Sequence, residues 1–384
     1  MRMNVLFLVK TYGMGGAQTL IRMWLQHLPP EEFHIITVPY DAPGSGDQDF
    51  VESVRKQGND VAPDRIPWRN RRYWCRARRH IESLVTKYDI DIIHTQDNLS
   101  NVLVGIGRAR WPCACVASAY GWWEPKMAFK RRLYYSLERR FALPRFDRVY
   151  TNSYDMQRKI WAGGTPEERI RVIHTGFDVD QFVRRGRRAL VRAKLGIAPD
   201  AVTIGTVSRL APEKGHSYLL EAVKLLASEE PRLRLLIVGT GPQRERIEAE
   251  ARRLGLLERL CLAGFYEDLA EVFEAMDVFA LPSILEEGLP TSALEAQAAG
   301  LPIVASDIGG TRETIDIGGS GFLVPPRNAR SLAEALRPLI TTEHLRRQMG
   351  SRARQHIQQS FTLPSMMAQM TALYHEAKAA WDNK

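Results

Sequence analysis

Two short stretches in the second half of this chain place charged side chains beside turns where an anion would be stabilised. The first reads Gly205-Thr206-Val207-Ser208-Arg209-Leu210-Ala211-Pro212-Glu213-Lys214-Gly215. An apolar run ends here and a helical pattern starts near Gly215. Arg209 and Lys214 therefore stand at a strand C-terminus beside a helix N-terminus, where free N–H groups and two cations converge. A diphosphate leaving group needs such neutralisation. Taken alone, the same stretch also fits a solvated basic turn. The second reads Leu281-Pro282-Ser283-Ile284-Leu285-Glu286-Glu287-Gly288-Leu289-Pro290-Thr291-Ser292-Ala293-Leu294-Glu295. Pro290 suits the first turn of a helix, so Glu287 lies in the loop before that helix and Glu295 lies inside it. Two acceptors held that way reach hydroxyls at opposite ends of one ligand, and the unpaired amides at the helix start can hold phosphate between them. Two carboxylates at a helix start are also common as solvent-facing groups. The preceding Pro282-Ser283 and the following Ala299-Gly300-Leu301-Pro302 add specificity to the spacing.

These residues need a scaffold, and the hydrophobic pattern supplies one. Residues 4–10 form a short apolar run bounded by the turn Gly13-Met14-Gly15-Gly16, and a helical period follows over 17–28. Further strand-like runs fall at 34–40, 90–94, 114–119 and 148–152, separated by helical stretches. The pattern then restarts with runs at 202–207, 233–238, 260–262, 278–281 and 303–305. Strands alternating with helices imply parallel sheets covered on both faces, hence an α/β chain with two doubly wound units. Ligands of such sheets bind outside the strand C-terminal ends. The expected division is an N-terminal domain over 1–182, a linker over 183–200, a second domain over 201–362 and a helix over 363–384 packing back toward the N-terminal domain. The Arg-rich run 184–194, with little punctuation, motivates the linker.

Bulk properties agree with two globular domains. The chain has 384 residues, a length that at roughly 150 residues per domain suggests two. Lys plus Arg outnumber Asp plus Glu 53 to 44, a balance that suits an anionic partner without choosing among nucleotide, nucleic acid and acidic membrane. The four cysteines, Cys75, Cys113, Cys115 and Cys261, are too few and scattered for a disulfide framework and read as small hydrophobes of a reducing compartment. The N-terminal apolar run is too short for a signal-peptide core, and no stretch approaches the ~20 apolar residues of a spanning helix. A cytoplasmic location is expected, with contact to the inner membrane face left open.

The motifs together resemble one family. The N-terminal Gly-Gly-Ala loop, Ile173-His174-Thr175-Gly176-Phe177-Asp178, the Arg209-to-Gly215 run and the Glu287/Glu295 pair are similar to those of the GT-B fold retaining glycosyltransferases of family 4, also called glycosyl transferases group 1. Asp307-Ile308-Gly309-Gly310 and Gly321-Phe322-Leu323-Val324 belong to the same pattern. The resemblance spans nearly the whole chain and implies two Rossmann-like domains facing across a cleft, with C-terminal helices.

It also implies roles. Arg209 and Lys214 would bind the nucleotide diphosphate, Glu295 would accept from the ribose hydroxyls, and Glu287 would contact the donor sugar. Amides at Gly288 and Leu289 would line the phosphate, and Gly264-Phe265-Tyr266 would lie near the base. Gly15 and Gly16 would let the backbone approach the diphosphate or acceptor closely. Arg, Lys and helix amides would replace a cation, so no catalytic metal and no cofactor are expected. The triplets Asp47-Gln48-Asp49, Asp89-Ile90-Asp91 and Asp178-Val179-Asp180 lack a phosphate-facing setting. The chain departs from the family at two points: Tyr120 stands where a His often ends a strand, and Gln18 where Glu is frequent. His94 is then either a substitute active-site imidazole or a packed strand-end side chain.

The implied reaction moves a sugar, with retention, from a nucleotide-diphosphate sugar to a glycan or lipid-linked acceptor in polysaccharide or glycolipid synthesis. The basic aromatic stretch 122–146 and the cluster Arg69, Arg71, Arg72, Arg76, Arg78 and Arg79 around Trp68, Tyr73 and Trp74 suit an anionic membrane surface, or a solvated face over core. Three rivals stay open: a sugar-nucleotide epimerase on the same fold, an inactive subunit of that fold, and a nucleic-acid-binding protein. The last lacks any finger, RNP-type or helix-turn-helix signature, and no nucleic acid is expected as a partner.

Overall fold

The computed structural model describes residues 2–9, 16–39, 47–56, 58–62, 74–120, 129–285 and 287–384. They form two units, one of Met1–Thr175 with Pro364–Lys384 and one of Gly176–Leu363.

The first unit is built on seven strands: β1 (Met3–Val9), β2 (Phe33–Pro39), β3 (Asp60–Val61), β4 (Ile92–Thr95), β5 (Ala114–Ser118), β6 (Arg148–Thr151) and β7 (Ile170–Val172). Their order is β3-β2-β1-β4-β5-β6-β7, and every pairing is parallel. The central strands are largely apolar because both faces are covered: β4 and β5 are buried throughout. Leu6, Leu8, Ile93, Cys115, Ala117 and Val149 share one core with helical Ala77, Ile81 and Leu103. Cys113 is buried and free, as is Cys115, whereas Cys75 is an exposed thiol. The strands β3 and β7 escape the sequence pattern because two or three residues carry no readable period.

The second unit has six strands: β8 (Val202–Val207), β9 (Leu233–Val238), β10 (Leu260–Gly264), β11 (Val278–Leu281), β12 (Ile303–Ser306) and β13 (Gly321–Val324). Their order is β10-β9-β8-β11-β12-β13, again parallel. Each sheet therefore grows outward on one side and then returns to grow on the other. The reversal falls between β1 and β4 in the first unit and between β8 and β11 in the second. Loops leaving the two strands at such a point diverge and leave a crevice, which is where open α/β sheets take ligands.

One segment differs from the sequence reading. The Arg-rich run expected as linker is part of the second unit. Helix Arg188–Lys194 buries Val191 with Ile197 against that unit's core. Arg192 is almost wholly buried and donates to the carbonyls of Ala198, Pro199, Ala201 and Ala275 and to the Asp277 carboxylate at 2.8 Å. A guanidinium with five donors can satisfy a group of strand-end carbonyls, so a composition that reads as solvated is a structural clasp. The terminal helix Leu363–Asp382 groups with the first unit. Its Tyr374 packs edge-on against Phe33 at 5.4 Å, and Trp381 lies under the Arg108 guanidinium at 4.4 Å. Lys384 reaches the buried Asp147 at 2.5 Å, which Arg108 also holds at 2.6 Å.

Candidate functional site

The second unit assembles its polar groups at the β8/β11 reversal. β8 delivers Ser208 and Arg209. A short turn over Pro212–Lys214 then ends at Gly215, whose backbone is left-handed (φ 67°). A Cβ there would sit 2.0 Å from the Pro282 carbonyl oxygen, so only glycine lets the two loops touch. The loops are also laced by backbone: the Ile284 amide donates to the Glu213 carbonyl at 2.9 Å. A third loop joins from β12. The Gly310 amide donates to the Glu287 carbonyl at 2.9 Å, and left-handed Gly309 passes so close that a Cβ would meet that oxygen at 2.2 Å.

This lacing brings Lys214 and Glu287 together across 73 positions of sequence. The Lys214 ammonium donates to Glu287 Oε1, and the buried Ser283 hydroxyl donates to the same oxygen at 2.7 Å. Both partners of the ion pair are only 18% exposed. Arg209 differs: it is 75% exposed and pairs with Glu213 at 2.7 Å. An exposed pair of this kind is worth about 0.2–1 kcal/mol, so an arriving phosphate can take the guanidinium over at small cost. Next to it His216 opens helix His216–Leu226, hydrogen-bonded from Nε2 to Ser208 Oγ at 3.0 Å. Burial, then the neighbouring Lys214 charge, push its pKa down to about 4, and the imidazole is neutral.

Pro290 is the cap residue of helix Thr291–Ala298, and no side chain caps that helix. The amides at its start are thus available to an anion. Glu295 lies within this helix, half-buried and without a hydrogen-bond partner among the described residues. Burial raises its carboxyl to about pKa 7. Leu289 turns its side chain into a small core with Leu294 and Phe361, which leaves only its backbone to face a ligand, and half-buried Gly288 precedes it. At the end of β10 Gly264 accepts from the Gly239 amide at 2.7 Å. Phe265 is 67% exposed there, while Tyr266 packs against the core.

The first unit treats its predicted residues differently. Gly15 lies outside the described residues, as do Trp68, Arg69, Arg71, Arg72, Tyr73 and 121–128 of the basic aromatic stretch. Gly16 is the first residue of helix Gly16–His27. His94 is not a substitute active-site base. It is fully buried, stacked on Trp24 at 5.5 Å, and both ring nitrogens are taken, Nδ1 by the Tyr374 hydroxyl at 2.8 Å and Nε2 by Ser118 Oγ at 2.9 Å. Burial drives its pKa down to about 3, so it stays neutral. Tyr120 is half-buried with its hydroxyl donating to Gln96 Oε1 at 3.1 Å, and burial pushes its own pKa well up. Sequence reasoning missed Gln96, Ser283 and Glu213. The available signal was position: Gln96 follows β4 directly, at the reversal of the first sheet.

The sequence profile described as "Glycosyltransferase Family 4" matches residues 14–181, and that described as "Glycosyl transferases group 1" matches 188–356. A D-inositol 3-phosphate glycosyltransferase of Geodermatophilus obscurus is 32% identical over 314 residues, 76% of this chain and 68% of that one. Its counterpart in Streptomyces bingchenggensis is 34% identical over 225 residues, and the chain spans about half (49%) of that relative's length. Among solved structures, Anabaena Alr3699/HepE in complex with UDP superposes with TM-score 0.81 at 22% identity, covering 96% of this chain and 99% of that one. A glycosyltransferase from Rickettsia africae ESF-5 gives 0.80 at 21% identity, covering 98% of each. These likenesses establish the GT-B fold, and with the sequence matches they show that the chain belongs to the family 4 glycosyltransferases.

Proposed function

We propose that this protein transfers a sugar from a nucleoside-diphosphate sugar to a glycan or lipid-linked acceptor. The observation that carries this reading is Lys214 held on Glu287 at the β8/β11 reversal, with Arg209 exposed beside it. In this reading a diphosphate draws Lys214 and Arg209 onto its oxygens and takes the free amides at the start of helix Thr291–Ala298. Glu287 turns from Lys214 toward a hydroxyl of the transferred sugar. Glu295, ionised on binding, accepts from the ribose diol. Amides at Gly288 and Leu289 line the phosphate, and exposed Phe265 offers a face to the base. Uridine is the favoured base because HepE is solved with UDP and with UDP-glucose.

Catalysis then consists of neutralising the charge that develops on the leaving diphosphate and of positioning the acceptor. The departing diphosphate accepts the acceptor's proton, and the configuration at the sugar is retained, as in the family the chain belongs to. An epimerase would need acid–base side chains around the sugar, and His94, buried with both ring nitrogens engaged, offers none. The test is a thermal-shift panel of UDP-glucose, GDP-mannose and other sugar nucleotides. A donor at 100 times its Kd adds about 2.7 kcal/mol of stability. No shift with any of them sinks the reading.

The acceptor reading includes a membrane surface. Among the described residues no helix is long and apolar enough to cross a membrane. Leu133 and Phe141 are exposed beside Arg140, in a segment whose helix Phe129–Leu137 reads FKRRLYYSL. Exposed apolar groups among cations suit an anionic leaflet on the cytoplasmic side. Salt-sensitive sedimentation with phosphatidylglycerol vesicles is expected; failure to sediment at low salt overturns this part.

A further inference from the structure

At the β1/β4 reversal the first unit carries a row of linked side chains that the transferase reading leaves unused. Ser118 Oγ and Tyr120 Oη both donate to Gln96 Oε1, at 3.3 and 3.1 Å. The single Ser118 proton is thereby spent, so Ser118 Oγ accepts from His94 Nε2–H. His94 Nδ1 then accepts from the Tyr374 hydroxyl. The hydrogen bonds thus all donate in one direction, from the terminal helix toward Gln96, whose carbonyl is doubly anchored. Its amide nitrogen is left over. Gln96 is 4% exposed, and Nε2 is buried without a partner among the described residues. The Tyr150 hydroxyl, whose ring meets Tyr120 edge-on at 5.6 Å, is likewise buried and unpaired among the described residues.

An unpaired buried amide is costly, and such a group calls for an explanation. Every side chain in the row is uncharged: burial keeps His94 neutral and the tyrosines protonated. None of these side chains is bonded to an ionised group among the described residues. A charge brought against them would be left uncompensated, so the row suits a neutral hydroxyl rather than a phosphate or carboxylate.

We propose that Gln96 is a specificity-determining residue of the first unit, its carbonyl anchored by Ser118 and Tyr120 and its amide N–H donating to a sugar hydroxyl at the β1/β4 reversal. This rests on the transferase reading. The hydroxyl belongs either to the transferred sugar or to the acceptor, and one experiment separates them. In the full chain, Gln96→Glu removes the N–H groups with little change of shape. UDP and UDP-glucose affinities are measured by calorimetry, and UDP release in the presence of a panel of methyl glycosides gives acceptor KM. UDP affinity is expected to be unchanged. UDP-glucose affinity falls roughly tenfold if the transferred sugar supplies the hydroxyl, and acceptor KM rises roughly tenfold if the acceptor does. Tyr120→Phe, which keeps the ring on Tyr150 and removes one anchor, shifts the same constant by less and carries the test if Gln96→Glu does not fold. Wild-type values for both variants overturn the inference, as does loss of UDP affinity in step with UDP-glucose. A wild-type chain that binds neither UDP nor any sugar nucleotide overturns the transferase reading itself.

Discussion

The two units reverse their sheets in the same way, yet they furnish the reversal with opposite chemistry. At β8/β11 the groups are ionic and local: Lys214, Glu287, Arg209 and Glu213 come from two loops that are each a contiguous motif. At β1/β4 and the strands beyond it the groups are neutral, and each strand end contributes one or two: Gln96 after β4, Ser118 and Tyr120 from β5, Tyr150 from β6. The lesson is that one fold supplies the place and the side chains decide what it takes. Ion pairs that can be exchanged suit a diphosphate, whereas a neutral hydrogen-bonded row suits an uncharged hydroxyl.

The comparison breaks most readily at Lys214. Lys214→Ala is expected to cut turnover by about 10²–10³, the loss of one electrostatic stabiliser of a developing negative charge, with a folded protein by circular dichroism. Near-normal nucleotide release from that variant would remove the ionic half of the contrast. On the other side, His94→Phe keeps the aromatic packing but leaves the Tyr374 and Ser118 hydroxyls without their partner. It should cost about 1–3 kcal/mol in denaturant unfolding while leaving UDP affinity alone.

The pH responses should differ in sign. The folded-state pKa of His94 is depressed, so its contribution to stability is complete above about 6.5 and is lost as pH falls toward about 3. Glu295 is raised to about 7, so without ligand its contribution is complete below the usual carboxylate range and is lost as pH rises through about 7. A ribose diol that binds the ionised form reverses this for affinity: donor binding should strengthen by several-fold as pH rises through about 7. Glu295→Gln should flatten that slope in a calorimetric titration. A slope that survives the substitution places the titrating group elsewhere. A modest effect is also expected at Arg209, whose half-buried partner Glu213 already screens it. Arg209→Ala should raise donor KM by roughly tenfold, the worth of one charge-assisted hydrogen bond, and a larger loss in kcat than in KM would show that it acts on the leaving group itself.

Much of the architecture was legible in the order of residues. Short, largely apolar runs such as 202–207 and 233–238, alternating with helical stretches, point to buried parallel strands, and they appear at those positions. The glycine at 215 announces a turn that side chains forbid. The motif pairs around Lys214 and Glu287 were visible because local loops carry them. The direct ion pair between them was not, because 73 residues of chain separate its partners and only the return from β10 to β11 closes that distance. Composition misled at Arg192, since a run of arginines looks solvated until the strand-end carbonyls that consume its donors are in place. It also left His94 ambiguous. A histidine after an apolar strand can be a base or a core residue, and the sequence carries both readings equally. What decided was the terminal helix, which brings Tyr374, 280 positions away, onto Nδ1 and closes the ring off from water. Residue types determined which chemistries were available. Burial and pairing, which exist only once distant segments pack, decided which groups keep their charge and which are left free to bind.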